Sequence, residues 1–420
     1  MKSIILFFLG MMTPLLLSAQ QVLTLEECYA LAVKNYPLAK QKGLLEEKMQ
    51  SEIKILEREK LPKLDLNAQS TYQSEVIRFP GELANATIEP PNNDQYRATM
   101  DINQLIYNGG NIEANARLKQ AELKTKQQEV EVNLYQIKSR INAIYFNVLL
   151  LQEQDKLLLS KKEELQKRLE EMESGIKNGM VLLATSQILQ AEMLLLEQKS
   201  IQNSFDRKKA LESLTLLTGT EMNTFAALES PDILMLSKAP LTRPELNLFD
   251  FQEHQLEASK ELITRENAPR IFGFAQAGYG NPGLNMLDNS FQEFYMLGIR
   301  FNWRLFDWGN SKEKMRTVDA LKKMVATERE TFVLNNKLKL EEAWEDLNKY
   351  REIMDKDAAI VSLREAVLTA KTSEFQNGTI TSSEYIAELN KLYEAKINQQ
   401  LNKIRLAMNQ ANYRLLRGDF

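Results

Sequence analysis

The fold turns on the run Pro62-Lys63-Leu64-Asp65-Leu66-Asn67-Ala68-Gln69-Ser70-Thr71-Tyr72-Gln73. Leu64, Leu66, Ala68, Ser70 and Tyr72 alternate with Asp65, Asn67, Gln69, Thr71 and Gln73, so an extended chain here has one apolar and one polar face. The pattern recurs where Tyr96, Ala98, Met100 and Ile102 alternate with Arg97, Thr99, Asp101 and Asn103, and where Leu297, Ile299, Phe301 and Trp303 alternate with Gly298, Arg300, Asn302 and Arg304. A fourth and weaker run spans Ile271 to Gly280, where Phe272 and Phe274 interrupt the polar face. The strand pairs thus cover residues 63–107 and 270–306. Strands of about 11 residues cross a bilayer at a tilt, and a face of each sign suits a water-filled barrel. Four strands cannot close a barrel, and hydrocarbon holds no water for open edges, so other copies of the chain must complete it. Alternation alone fits a soluble sandwich with one wet face equally well.

Working outward, the chain is written twice. Pro37 and Pro62 stand 25 residues apart, as do Pro244 and Pro269, at an offset of 207. Leu105-Ile106-Tyr107-Asn108-Gly109 matches Leu305-Phe306-Asp307-Trp308-Gly309 at an offset of 200, and Asn178-Gly179 matches Asn377-Gly378 at 199. The repeats are residues 21–218 and 242–420, joined by a linker at 219–241 marked by Thr218-Gly219-Thr220 and Ser230-Pro231-Asp232. One detail resists: the offset of 200 sets Met100 against Arg300 and Ile102 against Asn302, opposite phases that a one-residue bulge in one strand would reconcile.

The segments outside the strands are helical. Val333, Leu340, Leu347, Met354, Val361, Leu368 and Phe375 recur every seventh residue, while Val130, Leu134, Ile137, Ile141, Ile144, Val148 and Leu151 step by four and three. This is the period of a coiled-coil seam. Long helices are predicted over about 110–174 and 310–375, each about 95 to 100 Å long at 1.5 Å per residue. Returning helices over about 182–217 and 380–416 are half that length, so those over about 24–60 and 242–267 would continue them. The signal, duplication and heptads together favour the barrel over the sandwich. A lumen would then be lined by Asp65, Asn67, Gln69, Arg97, Asp101, Asn103, Arg300, Asn302 and Arg304, with Tyr72, Tyr96, Tyr279, Phe294, Tyr295, Phe301 and Trp303 in interfacial belts.

Composition excludes much else. Lys2 followed by the apolar runs Ile4–Leu9 and Met11–Leu17 and the small-residue end Ser18-Ala19 reads as a secretory signal over residues 1–20. Its removal takes away one lysine and no acid, so the formal charge moves from -4 to -5. With one Cys (Cys28) and one His (His254) there is no internal disulfide and no multi-histidine zinc site, and no metal or cofactor is expected. Cys28 is expected to be half-buried in the first helix, with no lipid attached. Mild acidity argues against a nucleic-acid partner. The acids are dispersed along helix faces without a nucleophile turn, so no enzyme is expected.

The chain resembles the TolC-like outer membrane efflux proteins. The likeness rests on Leu23-Thr24-Leu25-Glu26-Glu27 with Ala30-Leu31-Ala32, on Arg243-Pro244-Glu245-Leu246, on Leu305-Phe306-Asp307-Trp308-Gly309 and on the paired Asn-Gly tips, across about residues 23–417. It implies an α+β membrane protein with long coiled-coil hairpins and four transmembrane strands per chain, three chains forming a twelve-stranded barrel with a periplasmic helical tunnel. It also implies an exit channel of a tripartite efflux or type I secretion system, in the bacterial outer membrane and its lipid, docked to a periplasmic adaptor and an inner-membrane pump. Adaptor-docking tips would be Asn178-Gly179-Met180 and Asn377-Gly378-Thr379, which otherwise read as plain helix-hairpin turns. Six residues past the second tip glycine the family carries a tunnel-entrance acid, here Glu384. A second falls at Ala387, which departs from the pattern, although Glu388 is adjacent. The alternatives are a solvated helix face for these two acids and, for the whole chain, a soluble periplasmic coiled-coil adaptor or interaction protein.

Overall fold

A computed structural model describes residues 23–77, 90–177, 183–221, 227–232 and 240–419. In chain order these form α1 (Leu25–Asn35), a 3-10 turn (Pro37–Lys40), α2 (Gln41–Arg58), β1 (Lys63–Tyr72), β2 (Asp94–Tyr107), α3 (Asn111–Lys177), α4 (Leu183–Thr218), α5 (Pro244–Glu266), β3 (Arg270–Asn281), β4 (Gln292–Asn302), α6 (Asn310–Gln376) and α7 (Ser382–Arg417). The proposed signal segment and the first tip, Asn178-Gly179-Met180, lie outside the described residues. The chain divides into two compact units. One comprises residues 23–39, 133–243 and 335–419, the other 40–132 and 244–334.

The second unit holds the sheet, an antiparallel meander in the order β1-β2-β3-β4. The two hairpins share a register: Leu64 pairs with Ile102, and Ile271 with Phe301. These pairs relate β1 to β3 by the proline offset of 207 and β2 to β4 by 199. The turns that follow agree with 199. Gly109 and Gly110 have φ of +68° and +78°, while Trp308 and Gly309 have +57° and +78°. Gly110 N–H donates to Asn108 Oδ1 and Gly309 N–H to Asp307 Oδ1, both at 3.0 Å. The equivalent triplets are therefore Asn108-Gly109-Gly110 and Asp307-Trp308-Gly309, which corrects the offset of 200. With 199, Met100 answers to Ile299 and Ile102 to Phe301, so the copies alternate in phase. The β2–β3 ladder does skip Ile106, but no bulge is needed to reconcile the copies.

Two expected boundaries move. The helix foreseen over 24–60 is broken: Tyr36 is extended (φ -64°, ψ 131°) because a residue before proline is driven from the helical region, and α2 starts afresh after Pro37. The second strand pair stops at Asn302, not 306, because β3 begins at Arg270, which takes Asn302 as its partner and leaves the following residues none within the chain.

In the first unit α3, α4, α6 and α7 pack along the expected seams. Leu134, Ile141, Val148 and Leu151 are buried on α3, as are Leu347, Val361 and Phe375 on α6; of the seam positions in the second unit, Val130 is buried and Val333 exposed. The linker is tied to the N-terminal segment by a parallel bridge between Leu23 and Leu228. The buried Tyr145 hydroxyl lies 2.8 and 2.7 Å from the carbonyl oxygens of Leu23 and Glu229. Cys28 is fully buried rather than half-buried, and burial with Glu27 and Glu26 nearby pushes its thiol up to about 12, which makes it unreactive at neutral pH. Each returning helix ends on the segment that opens a repeat: Asn35 Nδ2 donates to the Thr218 carbonyl at 2.6 Å, and Thr242 N–H donates to that of Arg417 at 2.8 Å.

The turns carry unequal loads. A Cβ on Gly109 would lie 2.3 Å from Ala268 Cβ and 3.0 Å from the Pro269 carbonyl oxygen, whereas one on Gly309 would meet nothing within 4 Å. Both substitutions incur the left-handed backbone cost of about 1–2 kcal/mol, but only Gly109→Ala adds overlap with another segment. Thermal unfolding should therefore show Gly109→Ala as clearly the more destabilised of the two; equal melting temperatures would contradict the Ala268 contact.

Candidate functional site

The sheet sorts its side chains as the alternation requires, since directly paired residues share a face. One face is apolar and open: Leu66, Leu297 and Ile299 are 78%, 73% and 75% exposed. Aromatic residues bracket this band. Tyr72, Tyr96, Tyr279 and Phe291 lie toward the end where the hairpins turn, with Phe291 stacked on Tyr279 (5.5 Å) and Tyr96 (6.3 Å). Phe301, Trp303, Phe306 and Trp308 lie toward the other end, Phe306 meeting Trp308 edge-on at 4.7 Å. Apolar side chains between two aromatic girdles are what a lipid-facing barrel wall displays. Among the described residues no helix is long and apolar enough to cross a membrane.

The opposite face is polar. Asp65 pairs with Asp101, which pairs with Gln276; Asn67 stands beside them opposite Thr99, and Gln69 opposite Arg97. Asp101 accepts from Gln276 (2.6 Å), Asn67 (2.7 Å) and Thr99 (3.0 Å), so the middle of the face is a satisfied polar network. Asn103 lies on the same face opposite Lys63 and Phe274, Arg300 opposite Phe272, and Asn302 opposite Arg270. Arg304 lies past the end of β4 and has no ion-pair partner among the described residues.

Phe294 departs from its expected place. It pairs with Gly278 and so lies on the polar face, not in a belt. Phe274 and Phe294 are each laid across a glycine: a Cβ on Gly298 would come within 2.8 Å of the Phe274 ring, and one on Gly278 within 2.4 Å of the Phe294 ring. The rings are covered in turn by guanidinium groups, Arg300 over Phe274 at 5.3 Å and Arg97 over Phe294 at 5.6 Å. An aromatic over a glycine with a cation on its outer face stays compatible with a wet surface. That explains why β3 reads poorly as an alternating strand. Sequence reasoning passed over Gln276, Arg270 and Lys63; the strand period counted from Arg270 and from Lys63 was the signal that could have found them.

In the first unit the second tip is a helix stop followed at once by a helix start. Gly378 has φ +72°, its N–H donates to the Phe375 carbonyl (3.0 Å), and Thr379 N–H donates to that of Glu374 (2.9 Å). This pair of bonds is a Schellman stop, which needs the left-handed residue that glycine supplies. Two residues later Thr381 caps α7: its hydroxyl accepts from Glu384 N–H at 3.2 Å, and the Glu384 carboxylate accepts from Thr381 N–H at 2.8 Å. Beneath the turn, Phe375 stacks on Tyr385 at 4.8 Å in a core with Leu165, Leu189 and Leu389.

The two candidate entrance acids differ. Glu384 is exposed, without an ion pair among the described residues, and the backbone and hydroxyl donors of Thr381 hold its carboxyl below the usual range. Glu388 is half-buried and paired with Lys391 (2.7 Å) and Arg364 (3.4 Å), and Lys391 is the main cause of its own lowered value. Glu384 thus presents an uncompensated charge and Glu388 does not. No group of three or more metal-ligating side chains occurs among the described residues.

A family model described as outer membrane efflux protein matches residues 30–220. The fold matches solved outer membrane channels over 94% of the chain. VceC of Vibrio cholerae is 16% identical with 96% of its chain covered (TM-score 0.65), CmeC of Campylobacter jejuni 14% with 85% (0.64), and CusC 12% with 92% (0.69). The chain thus has the fold of solved outer membrane channels, and its residues 30–220 match the outer membrane efflux protein family. At these identities the structural likeness is one of fold, and no curated protein matches the sequence.

The cap makes a local prediction. Because the folded-state value of Glu384 is depressed, its contribution to the start of α7 is present above the ordinary carboxyl value of 4.5 and is lost as pH falls through the lower folded-state value. Isotope-edited infrared titration should place this carboxyl below 4.5, and Thr381→Ala should raise it while costing the helix about 1 kcal/mol. A midpoint at 4.5 in both proteins would contradict the capping box.

Proposed function

We propose that the chain is the outer-membrane exit channel of a tripartite efflux or type I secretion system, built as a trimer whose twelve strands enclose a water-filled pore. The observation that carries this reading is the sheet: an exposed apolar face between aromatic girdles, a polar face behind it, and two outer edges that find no partner strand among the described residues. A soluble adaptor has no use for such a face, which in water is an aggregation hazard. Asp65, Asn67, Gln69, Arg97, Asp101, Asn103, Arg300, Asn302 and Arg304 line the lumen in this reading, and conduction is passive, with energy supplied by an inner-membrane pump.

The tips dock a periplasmic adaptor. Their chemistry suits docking, since Asn377-Gly378-Thr379 is a short turn held rigidly by its own backbone bonds above an aromatic core, and Asn178-Gly179-Met180 is its counterpart in the first repeat. Glu384 rings the tunnel entrance in three copies, where uncompensated carboxylates attract cations and repel one another at neutral pH. Glu388, already paired, orders the helix faces around it.

Reconstitution into a planar bilayer tests both levels. Discrete cation-preferring conductance steps are expected, and Glu384→Gln should shift the reversal potential in a salt gradient toward zero. An unchanged reversal potential removes Glu384 from the narrow part of the path. Recovery of the protein as a water-soluble monomer without conductance ends the channel reading.

A further inference from the structure

The two repeats meet along β2 and β3, and this contact is a template for one that a single chain cannot make. β1 and β4 are the outer strands of the sheet, with their outer edges unpaired among the described residues. Applying the offsets of 207 and 199 to the β2–β3 ladder converts it into a ladder between β4 of one chain and β1 of another. Asn103 opposite Phe274 becomes Asn302 opposite Asn67, Asp101 opposite Gln276 becomes Arg300 opposite Gln69, and Leu105 opposite Phe272 becomes Arg304 opposite Asp65. On the apolar face, Gln104 opposite Gly273 becomes Trp303 opposite Leu66.

We infer that the unpaired edges of β4 and β1 join neighbouring copies of this chain in that register, with Arg304 directly opposite the neighbour's Asp65. The inference rests on the trimeric pore proposed above and specifies how it closes. Charge supports it. Within one chain Asp65 faces Asp101, an unfavourable opposition of like charges. The oxygens of Asp101 are engaged by amides and a hydroxyl, while Asp65 has no ion-pair partner among the described residues. The other edge brings Arg300 and Arg304 on the same face. A slip of two residues one way sets Arg304 against Lys63, and the other way against Asn67. A slip of one turns the apolar face inward. Among registers within two residues, only the inferred one gives Asp65 a counter-charge; a slip of four would set Arg300 against it but leaves Arg304 beyond the end of β1.

Two further features agree. Residues 303–306 lie beyond the last pair that β3 can offer β4, yet Trp303 and Arg304 acquire partners in the neighbour's Leu66 and Asp65. At the helix end, Trp308 stands where Gly109 receives Ala268, and the counterpart of Ala268 is Leu61. Leu61 is 58% exposed and Trp308 88% exposed in the single chain, and in the assembly the neighbour's Leu61 lies against the indole.

Cysteine pairing in the full-length protein tests the register. Asn302→Cys is combined in turn with Asp65→Cys, Asn67→Cys, Gln69→Cys and Thr71→Cys, oxidised in the membrane and run on a non-reducing gel. Directly opposed residues stand about 4.5–5.5 Å apart, within disulfide reach, and diagonal ones about 7–8 Å. The buried native Cys28 stays in place, with single variants as controls. The expected result is a covalent trimer formed several-fold more efficiently with Asn67→Cys than with any other partner. A maximum at another position overturns the register. A trimer without cross-links in any combination overturns the adjacency of β1 and β4, whereas a monomer overturns the pore reading itself. Independently, Arg304→Asp should lower the temperature at which trimers dissociate in detergent, and adding Asp65→Arg should restore it; no rescue counts against the ion pair.

Discussion

The structure depends on the backbone hydrogen bonds of a four-stranded sheet with two open edges. In water an open edge is solvated; in hydrocarbon each unpaired N–H and C=O costs several kcal/mol. In the proposed pore, a sheet whose apolar face asks for lipid and whose edges cannot tolerate it is completed by neighbouring copies. The same requirement explains β1, which is exposed along its whole length in the single chain. In the proposed assembly its surroundings are supplied by the neighbouring chain.

Duplication makes the solution economical. Each repeat contributes one hairpin, one long helix and one returning helix that ends on the segment opening a repeat, Thr218 on Asn35 and Arg417 on Thr242. The copies have diverged where their surroundings differ. Gly109 lies under Ala268 and Pro269 and has no room for a side chain, while its counterpart Trp308 holds a left-handed backbone and is largely exposed. Such a position is costly for a bulky residue, and its retention fits a role outside the single chain.

Electrostatics divides the charged residues by surroundings rather than by number. Asp101 is held by neutral side-chain donors and Glu384 by a helix cap, both of which leave the carboxylate its charge, whereas Glu388 is paired with two cations. Of the two candidate entrance acids, only Glu384 leaves a field for a passing ion to feel. The guanidinium groups over Phe274 and Phe294 do the converse, making aromatic surface acceptable on a wet face.

Period decided most of what the sequence could say. The two-residue alternation from Leu64 and from Tyr96 marked strands, the seven-residue step from Leu340 to Phe375 marked α6, and paired prolines and Asn-Gly tips marked the repeats, because these signals are local consequences of backbone geometry. Glu384 was legible as an acid near a turn, but not as the third residue of a capping box, since that role depends on where the turn ends. Phase and partnership were settled by tertiary structure. The one-residue difference between offsets of 200 and 199 became visible in the registers of the two hairpins and in the left-handed turns at Gly109 and Trp308. The use of Phe274 and Phe294 on the polar face required knowing which glycines and arginines lie across the ladder. Cross-strand neighbours are set by long-range hydrogen-bond register, which no periodicity within one strand encodes.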